Sequence, residues 1–131
     1  MNRKRNESVI CTLRVCNKTF DVVKFLKKNK WKVNNFWVKG EKDSVRGKIS
    51  KDSGFNIDIC TAKNKKIAQV PDRLARFLKK NKKALSGLKF GSLLDLGIFQ
   101  SEKIAWKSVL FTPNTLKELA AYNIELVFSF Y

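Results

Sequence analysis

Apolar and polar residues alternate cleanly in several stretches of the chain. Over residues 8–15, Val9, Cys11, Leu13 and Val15 fall on one side while Ile10, Thr12 and Arg14 fall on the other. That period of two predicts a strand with one buried face. Phe55, Ile57 and Ile59 alternate with Asn56, Asp58 and Cys60, predicting a second strand over 55–61 that leaves Cys60 off the core face. Ile124, Leu126, Phe128 and Phe130 alternate with Glu125, Val127 and Ser129, predicting a closing strand over 124–131. Residues 93–100 and 104–111 are apolar and rich in strand formers, and Ser101, Glu102 and Lys103 between them predict a hairpin turn.

Helical spacing lies between these strands. Asn17 or Thr19 can cap a helix over 20–29 that groups Val22, Val23, Phe25 and Leu26 against Lys24, Lys27 and Lys28. Pro71 suits a first helical turn and Asp72 its positive end, with Leu74, Phe77 and Leu78 following at helical intervals. The stripe continues through Leu85 and Leu88, as one helix broken near Asn81 or as two short ones. Thr112 caps a third helix opened by Pro113, and Asn123 can end it in the left-handed conformation. Residues 31–38, with Trp31, Val33, Phe36 and Trp37, read as a strand or a bulged strand, and a short strand near 45–49 fits after the turn at Gly40. The order predicts an α+β fold: a single mixed or mostly antiparallel sheet with about three helices on one face. Residues 1–7 are expected to form a basic arm and residues 8–131 one domain.

Charge changes the picture more than composition does. The chain has 131 residues, 28 Lys plus Arg, 11 Asp plus Glu and a net charge of +17. Residues 1–89 carry 25 basic and 7 acidic residues, net +18, whereas residues 90–131 are near neutral at −1. An anionic partner facing the first two-thirds of the chain is therefore expected. Lys outnumbers Arg by 22 to 6, which favours loose electrostatic attraction over bidentate base reading.

Candidate chemistry is sparse. The sequence has no histidine, which removes Ser-His-Asp and Cys-His catalysis and imidazole metal ligands. Three cysteines, Cys11, Cys16 and Cys60, make no C-x-x-C pair and suit a reducing, cytoplasmic setting. No phosphate-binding glycine motif occurs, and no stretch reaches the ~20 apolar residues of a transmembrane helix. No catalytic residue, metal or cofactor is expected, and no membrane association.

Two lysine clusters stand out. Phe25-Leu26-Lys27-Lys28-Asn29-Lys30 recurs identically as Phe77-Leu78-Lys79-Lys80-Asn81-Lys82, and Ile10-Cys11-Thr12 recurs as Ile59-Cys60-Thr61. The opposite strand faces expected for Cys11 and Cys60 argue against a true duplication. The expected binding surface comprises Lys27, Lys28, Lys30, Lys79, Lys80, Lys82 and Lys83, with Trp31 and Trp37 as aromatic anchors. Those indoles either stack against a partner or fill the core behind outward lysines.

Trp37-Val38-Lys39-Gly40-Glu41, Ser53-Gly54-Phe55, the helical 71–88 segment and the close Thr112-Pro113-Asn114-Thr115-Leu116-Lys117-Glu118-Leu119-Ala120 with its following strand resemble a small bacterial domain family of unknown function. In size and style the chain also resembles, more loosely, the immunity proteins that bacteria keep beside polymorphic toxins. The resemblance implies a single α+β domain without an established catalytic site, acting as an antagonist that binds and neutralises a toxin domain. Members are usually acidic to neutral, so the basic face of this chain implies an acidic toxin surface. The alternative is an RNA- or DNA-binding module held by phosphate contacts.

Overall fold

The computed structural model describes residues 7–43, 46–99 and 109–131. Five strands, β1 (Ser8–Asn17), β2 (Asn35–Trp37), β3 (Ser53–Lys63), β4 (Ser92–Phe99) and β5 (Ile124–Phe130), form one mixed sheet in the order β2-β3-β1-β4-β5. Every pairing is antiparallel except β4 with β5, whose parallel register needs a crossover. The α+β class expected from the alternation is the fold observed.

Among the described residues four helices complete it: α1 (Val22–Asn29), α2 (Val70–Lys80), α3 (Lys82–Ser86) and α4 (Pro113–Ala121). A 3-10 turn, Asn64–Gln69, leads into α2. The β1 alternation decides which sheet face they cover. Val9, Cys11, Leu13 and Val15 are buried and share one core with Val22, Leu74, Leu78 and Leu119 from the helices. The other face mixes apolar residues such as Trp37 and Val127 with polar pairs. Thr12 Oγ1 donates to Asp58 at 2.8 Å, Arg14 Nε to Asn56 at 3.0 Å and Ser129 Oγ to Asp95 at 2.8 Å.

Several boundaries differ from expectation for identifiable reasons. Helix α1 begins at Val22, because Asp21 accepts a hydrogen bond from the Lys24 amide and so caps it. Asn17 instead closes a turn, accepting from the Thr19 amide and hydroxyl. Strand β2 is only three residues long. Just before it, the Asn34 amide still donates to the Asn56 carbonyl, while its side chain clasps Asp58, donating to the carboxylate and accepting from the amide. The second helical stripe is two helices, with the break at Asn81. The short strand expected near 45–49 reduces to an isolated bridge between Lys42 and Ile49, with residues 44 and 45 outside the described set. The hairpin partner expected over 104–111 falls mostly outside the described residues. Residues 109–111 are not strand, and β4 takes β1 and β5 as neighbours. Glu7, expected in the basic arm, is buried, and its amide donates to Asn64 while its carbonyl accepts from the Asn64 amide.

A bulge changes the chemistry of the sheet centre. The β1–β3 register slips between Cys11 and Thr12, so that Cys11 faces Cys60 while Thr12 faces Asp58. Ile59 is the extra residue, and the slip turns Cys60 back onto the core side. Cys60 is therefore buried, contrary to the expectation from simple alternation. The register objection to a duplicated strand–helix unit falls with it.

Candidate functional site

Each repeated Phe-Leu-Lys-Lys-Asn-Lys segment ends a helix in the same way. In α1 the Asn29 side chain donates to the Phe25 carbonyl at 3.0 Å, and in α2 the Asn81 side chain donates to the Phe77 carbonyl at 2.9 Å. The Phe77 carbonyl also accepts the Asn81 amide at 3.0 Å, so the side chain adds a second bond to the last turn. Beyond Asn29 the chain turns sharply through Lys30 in the left-handed region, at φ 54°. The lysines of both last turns also complement the negative end of the helix dipole.

Trp31 joins the two ends. Its ring lies 5.2 Å from Phe25 and 5.5 Å from Phe77, centre to centre, and 5.8 Å from Phe55 beneath them. Phe55 is fully buried and also packs on Phe20 and Phe25. Phe25 and Phe77 each stand two and three residues before a lysine pair, so this aromatic cluster sets the two basic helix ends side by side. Lys27, Lys28, Lys30, Lys79, Lys80, Lys82 and Lys83 are all exposed on the resulting ridge. Among the described residues the single ion pair joins Arg46 to Asp43, at 2.8 Å, so the seven ridge lysines carry no carboxylate partner there. Their field is available to an incoming anion, within a Debye length of about 8 Å at physiological salt.

The two indoles expected as anchors sit differently. Trp31 is half-buried in the aromatic cluster and acts as scaffold. Trp37 is 8% exposed and lies on the opposite sheet face, paired in register with Gly54. Its Nε1 donates to Asp52 at 2.8 Å and the Arg46 guanidinium lies 5.7 Å over its ring. Trp37 thus lines a separate cleft of about 350 Å³ with Arg14, Cys16 and Asn56, away from the ridge. Within residues 31–38 the exposed aromatic is Phe36, at 54%, opposite Phe55 and so on the helix side of the edge strand. Sequence reasoning passed it over. The available signal was that Trp31, Val33 and Phe36 cannot share one face of an unbulged strand.

Cysteine chemistry centres on the facing pair. Its hydrogen bond with Cys60, reinforced by burial, pushes the Cys11 thiol far up. The same bond draws Cys60 down to about 7, against the opposing effect of burial and with help from Arg73. Together the two sulfurs hold one proton tightly and release the other readily. Cys16 is pushed up by burial and by Asp52. Among the described residues no cluster of Cys, Asp and Glu can hold a metal ion, and no helix is long and apolar enough to cross a membrane. No family model, curated protein or solved structure matches this sequence.

Proposed function

We propose that the chain is a non-enzymatic, cytoplasmic binding protein that presents the lysine ridge to an acidic protein surface, as an immunity or antagonist protein does to a toxin domain. The observation that carries this is a set of seven exposed lysines, with no carboxylate partner among the described residues, at the ends of α1 and α2 and the start of α3, with Trp31 packed between Phe25 and Phe77. An asymmetric field of this kind steers association and selects partners of opposite sign. Phe36, exposed on the helix side of β2 opposite Phe55, supplies an apolar contact of the kind such interfaces use.

A second function, attachment to RNA or DNA through phosphates, draws on the same unpaired lysines. It is the weaker of the two because Trp37 is buried and Trp31 is half-buried among Phe25, Phe55 and Phe77, so the two indoles are largely taken up by packing.

Co-expression with the product of the gene next to this one separates the two. Protection by the wild type, lost when Lys79, Lys80 and Lys83 are each changed to Glu, supports the antagonist function. Absence of both complex and protection refutes it. Gel shifts with single-stranded RNA at low salt, weakening with a log–log salt slope of roughly −0.7 per phosphate, would support the nucleic-acid function instead.

A further inference from the structure

The two edges of the sheet are unlike. Strand β2 closes one edge with only three residues, with Lys39 two positions beyond its end, a short border that resists pairing with another chain. Strand β5 closes the other with seven residues, Ile-Glu-Leu-Val-Phe-Ser-Phe, containing no Lys, Arg, Pro or Gly and one charge. Among the described residues its only strand neighbour is β4. Val127 is 37%, Phe128 46% and Phe130 70% exposed along it.

We infer that this edge is a homodimer interface, in which β5 pairs antiparallel with β5 of a second copy across a two-fold axis at Val127. Charge selects the occupant. In a chain of +17, two copies repel over most of their surface, and the near-neutral stretch from residue 90 onward is where they approach at least cost. The register is self-complementary, as a two-fold interface requires. Centred on Val127, it sets Ile124 opposite Phe130 and Leu126 opposite Phe128 on the helix side. On the open side it sets Glu125 opposite Ser129, so the two Glu125 carboxylates do not meet. Each apolar pair adds cross-strand packing to the main-chain hydrogen bonds. The pairing extends the sheet from five strands to ten. It lies at the far end of the strand order from β2 and Phe36 and leaves the lysine ridge free.

Light scattering coupled to size exclusion on the full chain tests this. The expected mass is twice the 15.1 kDa of one chain. The dimer should tighten as salt rises, because screening relieves the repulsion between copies, opposite to the salt response of ridge binding. Val127→Lys sets two like charges face to face on the axis and should halve the mass. Phe130→Lys, at a side chain mostly outside the core, should do the same if Val127→Lys fails to fold. A monomeric wild type at every salt and concentration, or a dimer that survives a folded variant, overturns the inference.

Discussion

Truncating Trp31 separates scaffold from anchor. Its ring touches Phe25, Phe55 and Phe77 at 5.2, 5.8 and 5.5 Å between centres. Aromatic contacts of this kind contribute roughly 0.5–1.5 kcal/mol each beyond area burial. A fully buried aromatic costs about 3–5 kcal/mol when cut to Ala. Trp31 is half-buried, so the expected loss for Trp31→Ala is about 2–4 kcal/mol. With a urea dependence of about 2 kcal/mol per molar, the middle of the usual range, the unfolding midpoint should fall by about 1–2 M. Trp31→Phe keeps a ring in the cluster and should recover more than half of that. An anchor residue would behave oppositely, with partner affinity collapsing at unchanged stability. A urea midpoint within error of wild type for Trp31→Ala would refute the scaffold role and return Trp31 to the binding surface.

Other consequences follow from close packing and from the thiol pair. A methyl group at Gly54 would meet the Val15 carbonyl, the Cys16 Cβ at 2.7 Å and the Trp37 ring at 2.8 Å, so Gly54→Ala should destabilise by about 2 kcal/mol in urea titration, and an unchanged midpoint would contradict the geometry. Cys60 ionises in the fold near 7, below the ordinary thiol value of 9.0. The folded state therefore binds fewer protons than the unfolded chain between these values, and stability should rise from about pH 7 to 9. Cys11 holds its proton beyond the ordinary value, so stability should fall again above pH 9.0. Comparing denaturation of the wild type and Cys11→Ala across that range checks both limbs; Cys11→Ala should lose the rise, and identical profiles would refute the shared proton.

Much of the architecture is visible in local pattern because local pattern is what determined it. The alternation in β1 and β5, the Pro71 and Pro113 helix starts, the Thr112 cap and the left-handed Asn123 each act through neighbours in sequence. The lysine ridge was also legible, since charged residues at helix ends stay in water wherever the helix docks. What depends on a partner strand was not. The bulge at Ile59 exists only relative to β1, so nothing in residues 55–61 alone reveals that Cys60 turns inward to meet Cys11. The fate of the indoles is tertiary as well. Trp31 is held by rings 24 and 46 positions away, and Trp37 by Asp52 and Arg46 across a turn. Residues 31–38 gave a mixed pattern because their two faces meet different things: Phe36 looks toward the helix layer at the sheet edge and Trp37 toward the polar cleft.

The dissociation constant of the purified chain for the acidic toxin domain proposed as its partner, measured by calorimetry for the wild type and for the Lys79→Glu, Lys80→Glu, Lys83→Glu variant, decides whether the lysine ridge is the binding surface. The ridge account predicts a loss of about tenfold or more, about 1.4 kcal/mol, with an unchanged circular dichroism spectrum. It also predicts that wild-type binding weakens as salt rises. Equal affinity for the two proteins would contradict it.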